Sequence, residues 1–107
     1  MKSFTDWGKF DQANQRDIVD FYNAIWHNQE FEKVNSVAVH SYERAPISRA
    51  SGQPGTLTTI KFATYKKGES GYGTWWTMTA ERWHGCASFN YERMMNPLEV
   101  DLEAYYA

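Results

Sequence analysis

Gly73-Thr74-Trp75-Trp76-Thr77-Met78-Thr79-Ala80-Glu81-Arg82-Trp83-His84-Gly85-Cys86-Ala87-Ser88-Phe89-Asn90-Tyr91 reads as two β-strands joined by a tight turn. Residues 74–83 are rich in Thr and Trp, which suit a pleated, half-buried surface. His84-Gly85 supplies the turn, since glycine takes the positive φ that short hairpins demand. Alternation then assigns faces. Trp75, Thr77, Thr79, Glu81 and Trp83 share one side of the first strand, and Thr74, Trp76, Met78 and Ala80 share the better core side. In the second strand Ala87, Phe89 and Tyr91 point one way, and Cys86, Ser88, Asn90 and Glu92 the other.

Outward from this hairpin, residues 56–66 read as another strand, with Ile60, Phe62 and Thr64 opposite Leu57, Thr59, Lys61, Ala63 and Tyr65. Residues 34–44 form the strand before it, with imperfect alternation. Between them, residues 45–55 carry Pro46, Gly52, Pro54 and Gly55 and read as a long loop. One long helix is expected over about residues 11–32, with Asp11 as its N-cap. Ile18, Phe21, Tyr22, Ile25 and Trp26 recur at three and four, so they are expected on the core face. Asp17, Asp20 and Glu30 are expected on or beside the solvated side, and Phe31 extends the stripe if the helix reaches it. Phe4, Trp7 and Phe10 mark an N-terminal arm tucked on the body, and residues 94–106 read as a turn and a short helix opened by Pro97. The expectation is one α+β domain: an N-terminal long helix packed on a four-stranded antiparallel meander, closed by a short C-terminal helix.

Composition narrows function. The 107 residues suffice for one core without staples. Aromatics at 17% leave rings to spare for an interface. A net charge of −2 argues against a nonspecific nucleic-acid binder. The single cysteine, Cys86, excludes an internal disulfide and a cysteine-based zinc site. Met1 to Trp7 lacks an apolar signal-peptide core, and no run approaches a membrane span, so a cytoplasmic protein is expected.

Chemistry is sparse. His27, His40 and His84 fall on a helix, a strand and a turn, which does not suggest a metal centre. Gly68 to Gly73 is glycine-rich but opens a strand and lacks the phosphate-loop order. Glu81 and Glu92 can approach across the hairpin as an acid–base pair, although solvated strand acids are the commoner outcome. Lys61, Tyr65, Lys66, Lys67, Tyr72, Arg82, Trp83 and Arg93 allow an alternative, a nucleic-acid or small-ligand module with an exposed aromatic and basic sheet face.

The Gly73-Thr74-Trp75 strand, the turn at Gly85, the Ser88-Phe89-Asn90-Tyr91-Glu92 strand and Pro97 resemble the YezG-type bacterial immunity (antitoxin) family. Leu102-Glu103-Ala104-Tyr105 is a weaker echo, and the resemblance covers about a quarter of the chain. Where that family shows Trp-Phe/Tyr-Ser, this chain has Trp75-Trp76-Thr77. The resemblance implies a non-enzymatic immunity protein without cofactor, of the kind met in contact-dependent inhibition. Such a protein binds a co-produced toxin domain, a nuclease or another cytoplasm-acting toxin, one to one, and covers its active site or substrate cleft. The motif carries no binding residues of its own. By residue type, Tyr72 and Trp83 are candidate anchors, and Asp20, Glu43, Glu69, Glu81 and Glu92 are candidate acids for a basic cleft.

Overall fold

A computed structural model describes residues 3–6, 10–68 and 73–94. The elements are β1 (Ser3–Asp6), α1 (Gln15–His27), β2 (Ser36–Ser48), β3 (Pro54–Tyr65), β4 (Thr74–Trp83) and β5 (Cys86–Arg93), with 3-10 turns at Phe10–Gln12 and Gln29–Phe31. The sheet runs β1-β2-β3-β4-β5. Strands β2 to β5 form the antiparallel meander expected from consecutive strands with short links. β1 adds a fifth strand, parallel to β2, where the sequence suggests only an arm. The C-terminal helix expected after Pro97 lies outside the described residues.

The helix is shorter than its pattern suggests. Asn14, not Asp11, is the N-cap, and its side chain accepts the Arg16 N–H at 3.0 Å. Asn28 stops the helix and caps the following 3-10 turn, accepting the Glu30 N–H at 2.9 Å. Each asparagine side chain accepts the backbone N–H two residues on, which opens a helical turn at its own position and at Asn28 competes with continuation of α1. The long loop also shrinks. β2 runs through Pro46 to Ser48 and β3 starts at Pro54, so only residues 49–53 turn. That turn is closed by the Gly52 N–H on the Arg49 carbonyl at 2.8 Å. β1 ends opposite Val39. Beyond it β2 is a sheet edge among the described residues, the place where a strand admits proline.

A one-residue bulge at His40 explains the poor alternation of β2. Val39 pairs with Phe62, but Ser41 pairs with Lys61. The extra residue moves the core-facing set from Val37 and Val39 to Tyr42 and Arg44. On that face Phe10, Phe21, Ile25 and Phe31 pack against Val37, Val39, Ile60, Phe62, Met78 and Ala80. Trp76 and Tyr91 border this core. A second, smaller cluster sits on the opposite face, where Ala38, Ala63 and Trp75 are buried.

Two carboxylates dock α1 onto the sheet, which corrects their expected solvated placement. Asp17 is only 2% exposed. It accepts hydrogen bonds from the Tyr42 hydroxyl at 2.6 Å and the Thr58 hydroxyl at 3.0 Å, and Arg44 approaches it at 4.0 Å. Asp20 forms an ion pair with Arg82 of β4. Tyr22 and Trp26, expected in the core, lie on the outer side of α1 instead, with Trp26 43% exposed. Their rings meet in series at tilted angles, Phe4 with Tyr22 at 5.3 Å and Tyr22 with Trp26 at 5.4 Å.

The Tyr42 contact makes stability depend on alkaline pH. Burial raises the Tyr42 hydroxyl above its ordinary 10.0, and donation to Asp17 raises it further. Burial alone raises Tyr91. A raised folded value means that the native state keeps protons the unfolded chain has already released. Stability from these groups is therefore whole below the unfolded value of 10.0 and lost as pH climbs through the folded value. Tyr42→Phe should make that loss shallower. Urea midpoints taken from about pH 8 to about pH 11 measure it, and parallel curves for both proteins would contradict the assignment.

Candidate functional site

The sheet face away from α1 gathers most of the candidate residues. Glu43 on β2, Glu81 and Trp83 on β4, and Glu92 on β5 all point there. One cross-strand row reads Glu43, Thr59, Thr79, Asn90. Glu81 lies two residues to one side of that row and Glu92 two residues to the other. The three carboxylates thus surround a floor of Thr59, Thr77 and Thr79. Glu43, Glu81 and Glu92 are exposed, and none makes an ion pair among the described residues.

The acid–base pair is not assembled. Glu81 pairs with Ser88 while Glu92 pairs with Thr77, four residues along the ladder. At about 3.3 Å per residue that is roughly 13 Å. The aromatic and basic patch is divided as well. Lys61, Tyr65 and Trp83 share the open face, whereas Arg82 and Arg93 belong to the α1 face. Among the described residues no three His, Cys, Asp or Glu side chains are grouped to hold a metal.

Trp83 is held in place. Its indole lies across Gly55, where an added Cβ would fall 2.6 Å from the ring and 2.6 Å from the Arg82 carbonyl oxygen. Only glycine leaves that space. The Arg49 guanidinium sits 4.5 Å from the ring centroid. The indole N–H donates to Glu81 Oε1 at 3.0 Å. Anchor and acid are therefore oriented together at one end of the open face. The pairing of Trp83 with Gly55 was not legible in the sequence, because it depends on the β3–β4 register.

Asp20 is not on this surface. Its pairing with Arg82 places it between α1 and the opposite face. Glu69 and Tyr72 lie outside the described residues. A groove of about 350 Å³ runs between the C-terminal half of α1 and β5, with Asp20, Ala24, His27, Phe89 and Tyr91 in its walls. Sequence reading did not anticipate it, since it arises from how α1 crosses the sheet.

Fold and surface together define a small α+β domain with one helix-covered sheet face and an opposite face that carries acids and threonines beside the small Ala38, Ala63 and Trp75 cluster. No protein-family model, curated protein or solved structure matches the chain.

Proposed function

We propose that this chain is an immunity protein, a non-enzymatic partner that binds one cognate toxin domain and occludes its active site or substrate cleft in the cytoplasm. The observation that carries this reading is the open sheet face, where Glu43, Glu81 and Glu92, none of them in an ion pair among the described residues, surround a threonine floor beside an oriented Trp83. Such a face complements a cationic cleft, and its exposed carboxylates speed encounter with one. A half-buried ring already fixed by Arg49 and Glu81 loses little freedom on binding. The hairpin resemblance supplies the toxin as the class of partner. The division of the basic residues between two faces weighs against the nucleic-acid alternative.

The test uses the product of the gene directly upstream. Its C-terminal domain is expressed in bacteria alone, with this protein, and with a Glu43→Lys, Glu81→Lys, Glu92→Lys variant. The wild type should restore growth and co-purify one to one. The variant should fold normally, since exposed charges change stability by only about 0.5 kcal/mol each, yet bind at least about tenfold more weakly. Toxicity that the wild type does not relieve would remove the immunity reading. Rescue that survives triple charge reversal would move the binding site elsewhere.

A further inference from the structure

We propose that strand β5 pairs edge to edge with the β5 of a second copy of this chain, joining two sheets into one across a two-fold axis. The inference does not depend on the toxin reading.

The hydrogen-bond phase of β5 comes from its two ends. A two-residue turn makes the flanking Trp83–Cys86 pair a hydrogen-bonded one. At the far end the Met94 N–H donates to the Trp75 carbonyl at 2.9 Å, in the same phase. The even-numbered residues of β5 therefore bond to β4. The N–H and C=O groups of Ala87, Phe89, Tyr91 and Arg93 point away from the sheet, and no partner meets them among the described residues.

Sheet edges are usually blunted by lysine, proline, bulges or very short strands. The opposite edge uses two of these, the four-residue β1 and Pro46 in β2. β5 uses none. It has no lysine or proline, its ladder with β4 runs without a register shift, and only Tyr91 is not exposed. Phe89 is 44% exposed beside the groove under α1.

The strand is complementary to itself in one antiparallel register. With the two-fold axis at Asn90, Phe89 of each copy faces Tyr91 of the other on the groove side. Aromatic cross-strand pairs of this kind are stabilising. On the open face Ser88 meets Glu92, and Asn90 meets Asn90. Ala87 meets Arg93. No like charges oppose each other, and all four outward-facing residues find hydrogen-bonded partners. A two-fold interface requires this self-complementarity. Pairing would also continue the acid-bearing face across both copies.

Sedimentation velocity and light scattering on the purified chain, from micromolar to submillimolar, should show a concentration-dependent dimer. Ala87→Pro removes only an outward N–H, so its circular dichroism should match the wild type while dimerisation weakens at least about tenfold. Register is read by crosslinking in a Cys86→Ser background. Asn90→Cys should form an intermolecular disulfide, because facing Cα atoms in such a pair are about 4.5 Å apart. Ser88→Cys should not, because the two copies of residue 88 lie roughly 13 Å apart along the strands. Should Ala87→Pro fail to fold, the two cysteine variants decide. A monomer at every concentration, a dimer indifferent to Ala87→Pro, or crosslinking through residue 88 rather than 90 would overturn the proposal.

Discussion

Asp20→Ala should lower the unfolding free energy by about 3–5 kcal/mol, several times the effect of deleting an exposed charge. The ion pair with Arg82 is mostly out of water, with side chains 12% and 19% exposed. Removing the carboxylate leaves a guanidinium enclosed between α1 and β4 with nothing to balance it. The environment is already imperfect, since the Arg82 Nε is buried without a hydrogen-bond partner. That imperfection shapes the double substitution. Asp20→Leu with Arg82→Met removes both desolvated charges, and it should restore most of the loss or exceed the wild type. Urea denaturation of both single variants and the double variant completes the cycle. An Asp20→Ala protein as stable as wild type but impaired in partner binding would return Asp20 to the candidate interface, where its residue type alone had put it.

The meander was legible because each strand carries a two-residue alternation with distinct faces. The faces read from residues 56–65, 74–83 and 86–92 match the observed ladders. Failures came where one local interaction outweighed a pattern. Asp17 and Tyr22 show this most clearly. Tyr22 obeys helical spacing but faces outward, in tilted ring contact with Phe4 and Trp26. Asp17 looks like a solvated acid but is buried, because the His40 bulge turns Tyr42 toward it. No local feature of the sequence announces that bulge. The proline pair was misread for a related reason. Pro46 signals a loop unless β2 is known to be a sheet edge there, which follows from where β1 stops, and Pro54 is admitted as the first residue of β3, ahead of its ladder with β4. The candidate surface was legible in part by the same logic. Alternation put Glu81, Trp83 and Glu92 on one face, but bringing Glu43 onto it required the bulge.

Phe31→Ala should cost about 3–5 kcal/mol, the range for emptying a fully buried aromatic site. Phe31 lies outside α1, in the 3-10 turn that follows it, so no helical stripe carries it into the core. It is nevertheless fully buried. Its ring meets Phe62 at 5.7 Å, Trp76 at 5.2 Å and Tyr91 at 5.8 Å, each edge to face. Those partners belong to β3, β4 and β5, so one side chain couples the end of the helix to three strands. Edge-to-face pairs each add about 0.5–1.5 kcal/mol beyond area burial. They are lost together with the ring. Three aromatic walls cannot easily collapse into the void, which keeps the cavity cost high. Phe31→Leu retains much of the volume without the ring geometry and should fall between wild type and alanine. A Phe31→Ala loss below about 1 kcal/mol would mean that this turn is not anchored as described, since surface substitutions cost no more than that. The same variant tests the route from core to edge. Tyr91 is held by Phe31 on one side and lines the groove on the other, so losing Phe31 should loosen β5 first. Amide exchange should then rise in β5 before it rises in β3, and uniform acceleration would argue for a single cooperative unit instead.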